Sequence, residues 1–591
     1  MRLGREMGIT KPRRTIAPPP QNQVCWRLAF AVAAFLSLTV AFPAGAVDAI
    51  LLPGSTTTSP SMYVPRVNSP LNTSAKPFLI VCKFYDEDAP AVGVPRVSIS
   101  IQSPAPLVTD LAVSIGDGGA GVNGAGTLTI TADGGGFYTV TLPWNPADTL
   151  AVGLYDLQFA VDGDGVGGVD PGATDTYANN TDEMRVGARG FYVNDGFTAG
   201  DVYCTNIGAD NNNANTQAIP TDDLNDVPVD QVLTADDMVF VDTGTWTVGA
   251  AAPNAVVTAT FGTADDGTGV SNNLFIIGST HPNRTKFNMN NSTTIIAFYL
   301  NSGDYITITN FEIYNDGAGG SSLPVYATGS LNSEVRNCTF HDNAYSVYFT
   351  ATSTNCTVRN CTFYANSAPS IFIVGSATAT IDHNLIYGCG GDGVYLADGD
   401  NATITFNTIY NCGNFANVTI QDSGGGSTGT VLKNNNLWSA SPGHSCVYMT
   451  ALSETGLPAN NFNYNNLYAT NGANIGFRVA AYHATLAAWQ TAGATDEDMN
   501  SISADPRFVS VAPGSEDFHE ESRYGSYSGG LWTPNAANSP CIDAADPAQG
   551  FALEPANNGG RANQGVYGNT AQASKRDDGT NTTVWTGANG T

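Results

Sequence analysis

The sequence is short of charge, and shortest of positive charge. Only 13% of its 591 residues are Asp, Glu, Lys or Arg, and 23 basic residues stand against 52 acidic ones, a formal net charge of −29. Soluble domains ordinarily carry about a quarter charged residues. Neutralising phosphates takes clustered Lys and Arg, so this balance argues against a nucleic-acid partner. The chain also lacks the Leu-, Glu-, Lys- and Ala-rich windows of coiled coils and helical bundles. Its one long apolar run lies near the N-terminus, and no later segment is fit to span a membrane. Ten cysteines are present, but no CxxC and no His/Cys cluster with zinc spacing. What the chain does have is 64 glycines, 10% aromatics and much Asn, Thr and Ser. With 42% apolar residues it can bury a sizeable core. This composition is that of a turn-rich, all-β protein.

Residues 1–46 have the layout of a signal peptide. Arg2, Arg5, Lys11, Arg13, Arg14 and Arg27 precede the run LAFAVAAFLSLTVAF, and Ala44-Gly45-Ala46 supplies a small-residue cleavage site. The expected location is secreted or at the cell surface, with no membrane span in the mature chain. Cleavage removes six basic residues and one acidic one, so the mature chain is more acidic still. Residues 47–76 read as a Pro, Ser and Thr linker. Residues 574–591 read as a second linker or the start of a truncated further domain.

Between 77 and 195 the pattern is FLIVCKFY, VSISIQ, GTLTITAD, GFYTVTLPW and GLYDLQFAVDG, separated by Gly, Asp and Pro turns. Short alternating runs at this spacing predict an antiparallel β-sandwich. The region resembles immunoglobulin-like modules of bacterial surface proteins, without the inter-sheet disulfide, since Cys82 has no second cysteine in the domain. Its one chemical motif is DGDGVGGVD. There Asp162, Asp164 and Asp170 alternate with glycines and offer oxygen ligands for calcium, although Asp-Gly pairs are also ordinary hairpin turns.

The informative part begins near residue 196. A pattern apolar-x-x-Asn/Cys-x-apolar starts at Ile308, Val335, Val358, Ile381, Ile404, Leu432 and Phe462, at separations of 27, 23, 23, 23, 28 and 30 residues. The strings are ITNFEI, VRNCTF, VRNCTF, IDHNLI, ITFNTI, LKNNNL and FNYNNL. After a turn each is followed by a short apolar run, among them PVYA, SVYF, SIFI, GVYL, NVTI and CVYM. A period in the twenties predicts a stacked solenoid, here with three short strands per coil and no helix. This resembles the right-handed parallel β-helix proteins of the pectate-lyase-like superfamily, of the secreted bacterial type. The expected layout is an entry and N-terminal cap over 196–272, regular coils over 273–480, and final coils with a cap over 481–573. The run around Leu486 to Gln490 is the best helix candidate in the chain.

Equivalent residues of successive coils lie about 4.8 Å apart, so like side chains stack. Phe311, Cys338, Cys361, Asn384, Asn407, Asn435 and Asn465 are expected to form a ladder at the turn between second and third strands. Ile313, Phe340, Phe363, Ile386, Ile409, Leu437 and Leu467 are expected to fill the core. Cys338 with Cys361, and Cys389 with Cys412, lie 23 apart and are expected to stack, either as disulfides or as buried free thiols.

Strand alternation then maps the outside. The first strands turn Tyr299, Tyr326, Tyr348, Phe372, Tyr395, Thr419 and Tyr448 outward. The third strands turn out Tyr314, His341, Tyr364, Tyr387, Tyr410, Trp438 and Tyr468. Aromatic faces among Asn, Asp and Thr suit sugar rings, and the same rings suit packing under loops. The expected function is binding of an extracellular polysaccharide. The alternatives are a polysaccharide lyase or glycoside hydrolase on the same scaffold, and a non-catalytic surface stalk or adhesin. Catalytic candidates are Asp392 in GDGVYL, His444 in GHSCVYM, which faintly resembles the Gly-His-Gly of polygalacturonases, and the row Arg336, Arg359 and Asp382 on the second strands. No Arg-x-Lys and no adjacent Asp pair accompanies them.

Overall fold

The computed structural model describes strands between residues 49 and 162 and, apart from short loop segments, residues 184–576. The signal-peptide segment, Asp164, Asp170 and the tail beyond 576 lie outside the described residues. Among the described residues no helix is long and apolar enough to cross a membrane.

Two small sheets come first. Ala49–Leu51, Phe78–Tyr85, Phe137–Trp144 and Thr129–Gly134 form one; Met62–Pro65, Met184–Gly187, Gly153–Asp162, Arg96–Gln102 and Val108–Ile115 form the other. Pairing is antiparallel except where Met62–Pro65 runs parallel to Met184–Gly187. Ile80, Val97, Ile99, Leu128, Val140, Leu142, Trp144 and Phe159 share the core. The segment expected to be a linker therefore contributes two strands. Met62-Tyr63-Val64 is only three apolar residues long, too short to announce a strand, and it forms one by finding an edge to pair with.

The rest is the solenoid. Three ten-stranded sheets stack coil upon coil, parallel throughout except for the last strand of one. The first sheet includes Ile296–Asn301, Leu323–Thr328, Val347–Phe349, Ile371–Val374, Val394–Ala397, Ala416–Gln421, Ser445–Met449 and Asn474–Arg478. The second opens with Gly190–Val193 and carries the strands of the VRNC strings; the third carries the strands that follow them. The repeat puts like beside like in register. Val335 pairs with Val358 and Ile381 in turn, and Phe340 with Phe363 and Ile386. The expected inward row from Ile313 to Leu467 is wholly buried, and the Phe340 and Phe363 rings stack at 5.1 Å.

The turn between second and third strands shows why Asn recurs there. Asn310, Asn337, Asn360, His383, Phe406, Asn434 and Tyr464 all take positive φ, between 52° and 71°. That left-handed region is costly for most residues and least so for Asn. The next residue points inward and builds the ladder. The Nδ2 of Asn384 donates to Oδ1 of Asn407 (3.0 Å), Asn407 to Asn435 (3.0 Å), and Asn435 to Asn465 (3.1 Å). Asn465 then donates to Oδ1 of Asp498 (3.1 Å), which closes the ladder. Cys338 and Cys361 fill the same position as buried free thiols. Cys356, Cys389, Cys412, Cys446 and Cys541 are likewise buried free thiols.

Both ends of the core are stopped. Leu224 and Val227, the latter in the short helix Asp226–Asp230, join the core at the entry. There the buried Asp242 carboxylate accepts backbone N–H groups from Val202, Tyr203, Cys204 and Thr243. At the far end the helix Leu486–Ala492 is capped by the Thr485 side chain. Its Trp489, fully buried, lies against Gly476 and beneath the Arg478 guanidinium. Arg478 in turn pairs with Glu497 at 3.4 Å, both almost fully buried.

Candidate functional site

The outward faces of the three sheets have different fates. The second is covered at both ends. Tyr63, from the N-terminal strands, packs on Phe275 at 5.3 Å and lies under the Arg336 guanidinium. Arg336 is only 3% exposed and pairs with Glu334, which also holds Arg359. The expected outward basic row is therefore tied up in an ion-pair cluster, with Arg336 buried against a tyrosine and Arg359 partly exposed. Burial and then the Arg359 charge pull the Arg336 pKa down. Farther along, Asp382 holds the His383 imidazole at 2.7 Å, and His383 reaches the backbone oxygen of Gly568 at 2.9 Å. Phe406 packs with Ala545 and Ala562 of the C-terminal segment.

The third-sheet row is stacked flat and then covered. Tyr314, His341, Tyr364 and Tyr387 follow one another at 5.2, 4.7 and 5.4 Å, with interplanar angles of 8°, 3° and 18°. Rings stacked this way use their faces on one another. From Tyr387 onward the hairpin of Phe508–Ser510 and Asp517–Glu520 closes over the row. Phe518 contacts both Tyr387 (5.0 Å) and Tyr410 (5.7 Å), and Phe508 meets Trp438 at 6.1 Å. Beside the open half stands a polar chain that the sequence reading missed. Lys286 pairs with Glu312 (2.8 Å), and the His341 ring reaches Glu312 (3.5 Å) and Asp342 (2.7 Å). Only the in-register pairing of Lys286 with Glu312, with His341 two residues beyond Thr339 on the next coil, could have signalled it.

The first-sheet row is irregular, and no segment among the described residues closes over it. Tyr299, Tyr326, Tyr348, Phe372 and Tyr395 are half-buried and in register, with centroids 4.8–5.4 Å apart. Their planes do not keep one direction: Tyr299 and Tyr326 stack at 18° and Tyr348 and Phe372 tilt by 30°, but the other two contacts are edge-on. Tyr326 meets Tyr348 at 63°, and Phe372 meets Tyr395 at 85°. An edge-to-face pair leaves a ring face unused by its neighbour, which a flat stack does not. The row's described ring contacts are with its own loops and strands. Tyr345 lies parallel to Phe372 at 5.7 Å, and Phe415 leans on Tyr448 at 5.5 Å. Thr419 interrupts the row and is wholly buried. Beyond it Tyr448 stacks on Phe477 (4.5 Å), which meets Tyr482. Tyr345, Phe415, Phe477 and Tyr482 thus extend a surface that strand alternation marked only in part. Phe477 continues the period inside NIGF, while Tyr345 and Phe415 sit in turns, where alternation is silent. The Tyr395 hydroxyl donates to the Gln421 side-chain oxygen.

The expected catalytic residues do not come together. Asp392 is buried, and its Oδ1 accepts the backbone N–H groups of Asn414 (2.9 Å), Phe415 (2.8 Å) and Ala416 (3.1 Å). That carboxylate shapes the turn that presents Phe415. His444 is half-buried in the turn before Ser445–Met449, two coils from Asp392, and its backbone oxygen accepts the Asn474 N–H. Arg336 and Arg359 lie on the second sheet. Of the calcium candidates, Asp162 ends a strand of the N-terminal sheets. Among the described residues no group of three or more His, Cys, Asp or Glu is arranged to hold a metal.

The C-terminal segment buries carboxylates instead. Glu520, on the same strand as Phe518, is wholly buried, and neither of its oxygens has a hydrogen-bond partner among the described residues. Burial first, then the charges of Glu554 and Asp517, push its pKa up to about 8. Burial and the Asp543 charge likewise push Glu554 to about 8, against two backbone N–H bonds.

The family model of the right-handed β-helix region matches residues 272–437 and, overlapping them, 324–482. No curated protein matches the chain. Similar solved structures include a lacto-N-biosidase from Eubacterium ramulus, at 13% identity over 54% of this chain and 67% of that one, with a TM-score of 0.30. The A-module of a mannuronan C-5 epimerase from Azotobacter vinelandii is 13% identical over 46% of this chain and 91% of its own, with a TM-score of 0.23. The catalytic domain of an α-1,3-glucanase is 10% identical over 74% and 91%, with a TM-score of 0.22. At such identities the likeness concerns the fold alone. With three parallel sheets stacked in register and this family match, residues 272–482 are a right-handed β-helix region.

Proposed function

We propose that the protein is exported and binds an extracellular polysaccharide along the first-sheet aromatic row, with the N-terminal sheets as an immunoglobulin-like module in front of the solenoid. The observation that carries this reading is the contrast in ring geometry. The third-sheet rings from Tyr314 to Tyr387 stack flat and those from Tyr387 on lie under the Phe518 hairpin, whereas the first-sheet row is broken by edge-to-face contacts at Tyr326–Tyr348 and Phe372–Tyr395. Apolar C–H faces of sugars pack on such rings, while neighbouring amides and hydroxyls take the sugar hydroxyls. The run from Tyr299 to Tyr395 spans five coils, about 19 Å, the length of several sugar units. The export reading rests on the basic and apolar stretches of residues 1–46.

Of the catalytic candidates, Asp392 and Arg336 are committed to the fold, which counts against a lyase or hydrolase built on those two. The test is retention on immobilised polysaccharides of the Tyr348→Ala, Phe372→Ala, Tyr395→Ala triple variant. The reading requires retention by the native protein and its loss in a variant that still melts cooperatively. Equal retention by both would sink it, and no retention by either would leave the stalk or adhesin.

A further inference from the structure

Resting on that reading, we infer that the polymer held by the first-sheet row is an uncharged polysaccharide, not a polyuronate or a sulfated glycan. The coils keep their cations away from this row. Residues 273–480 contain six basic side chains: Arg284, Lys286, Arg336, Arg359, Lys433 and Arg478. Lys286 lies on the third sheet, paired with Glu312, and Arg284 reaches Thr339 of that sheet at 2.7 Å. Arg336 and Arg359 are on the second sheet with Glu334, and Lys433 on the same sheet pairs with Asp546 at 3.2 Å. Arg478 belongs to a first-sheet strand, but it turns inward and is buried with Glu497 under Trp489. The outward face of the first sheet is thus left without a cation from the coils.

The strand positions that flank the row carry no cation either. Asn301 and Thr328 are in register on one pair of coils, and Val374, Ala397 and Gln421 on three others. The charges that act on the Tyr395 phenol are acidic, Asp392 and Asp398 among them. By contrast, Tyr364 on the third sheet has Arg284 nearby. Moving a uronate carboxylate or a sulfate from water onto aromatic rings is unfavourable unless a cation meets it. Here none does, and the net charge of −29 opposes a polyanion at long range. A neutral chain brings no such penalty. Its hydroxyls find amide and hydroxyl partners in Gln421, Asn301 and Thr328.

The test is affinity electrophoresis of the native protein through gels containing neutral polymers (laminarin, glucomannan, xylan) or acidic ones (alginate, polygalacturonate, chondroitin sulfate). Retardation is expected in at least one neutral gel and in none of the acidic gels. Retardation by an acidic polymer that is lost in the Tyr348→Ala, Phe372→Ala variant would overturn the inference while keeping the binding surface. No retardation in any gel would overturn both. A second variant tests the cause directly. Thr328→Lys with Val374→Lys, checked for native-like melting, should gain affinity for alginate by about tenfold at low ionic strength and lose the gain in high salt. If the two lysines leave alginate unbound, the missing cations are not what excludes it, and the inference fails.

Discussion

Two rows of aromatic side chains run up the same solenoid, built by the same alternation and the same coil period, yet they end in different physical states. The third-sheet row from Tyr314 to Tyr387 stacks within 18° of parallel, and its continuation lies beneath Phe518 and Phe508. The first-sheet row is broken by edge-to-face contacts, by buried Thr419, and by the loop rings of Tyr345 and Phe415. A row of exposed aromatics is therefore not in itself a binding site. What matters is whether ring faces are consumed by neighbours or by a covering segment.

The sharpest way to break this contrast is to remove the cover. Phe518→Ala deletes the ring wedged between Tyr387 and Tyr410 and should cost about 3–5 kcal/mol in denaturant unfolding, while retention on polysaccharide stays at the native level. A loss of retention in a folded Phe518→Ala protein would place the binding surface on the third sheet. Next in size, the Tyr348→Ala, Phe372→Ala, Tyr395→Ala protein should lose about 2 kcal/mol or more of binding, roughly thirtyfold in Kd. Its stability should fall by only about 0.5–1.5 kcal/mol per ring pair removed. The matching variant Tyr364→Ala, Tyr387→Ala, Tyr410→Ala should do the reverse, losing stability and keeping Kd by titration.

A pH experiment separates the rows without touching either. Glu520 and Glu554 keep their protons in the folded state up to about pH 8, whereas the unfolded chain releases them near 4.5. Their contribution to stability is then full below about pH 4.5 and drains away as the pH rises through 8. The melting temperature should fall by roughly 5 °C or more between pH 5 and 8.5, and Glu520→Gln should flatten that slope. Because Glu520 shares its strand with Phe518, the loosening belongs to the covered row. Polysaccharide retention at 20 °C should change little over the same range. The smallest effect is expected at Tyr345→Ala and Phe415→Ala, each about 0.5–1 kcal/mol in binding, with unfolding unchanged. Calorimetric titration distinguishes the two.

Much of the solenoid was legible because its constraints are local and repeated. Three intervals of 23 residues announced the coil, and alternation assigned Phe340 and Phe363 inward and Tyr348 and Phe372 outward. The ladder position of Asn384, Asn407, Asn435 and Asn465 followed from the same count. What was not legible involves contacts between residues far apart in the chain. Arg336 looked outward by alternation, and it does leave the core; Tyr63, more than 270 residues earlier, then covers it. Asp392 looked like a free carboxylate in a Gly-rich turn, but it is used up by the N–H groups of the next coil's turn. Met62–Pro65 looked like linker because a strand that borrows its partner from Met184–Gly187 has no signal of its own.

By itself, the sequence determined the coil, its period, the inward and outward sides of each strand, and the scarcity of positive charge, because each is a property of residue type and spacing within about 30 positions. Only the tertiary structure decided which outward face stays open. The residues that close the others arrive from both ends of the chain, Tyr63 over the second sheet and Phe518 over the third. The tertiary structure also decided where the few cations stand. Each is drawn to a carboxylate or a neighbouring polar group on another sheet or in the cap, and the aromatic row that remains open is left uncharged.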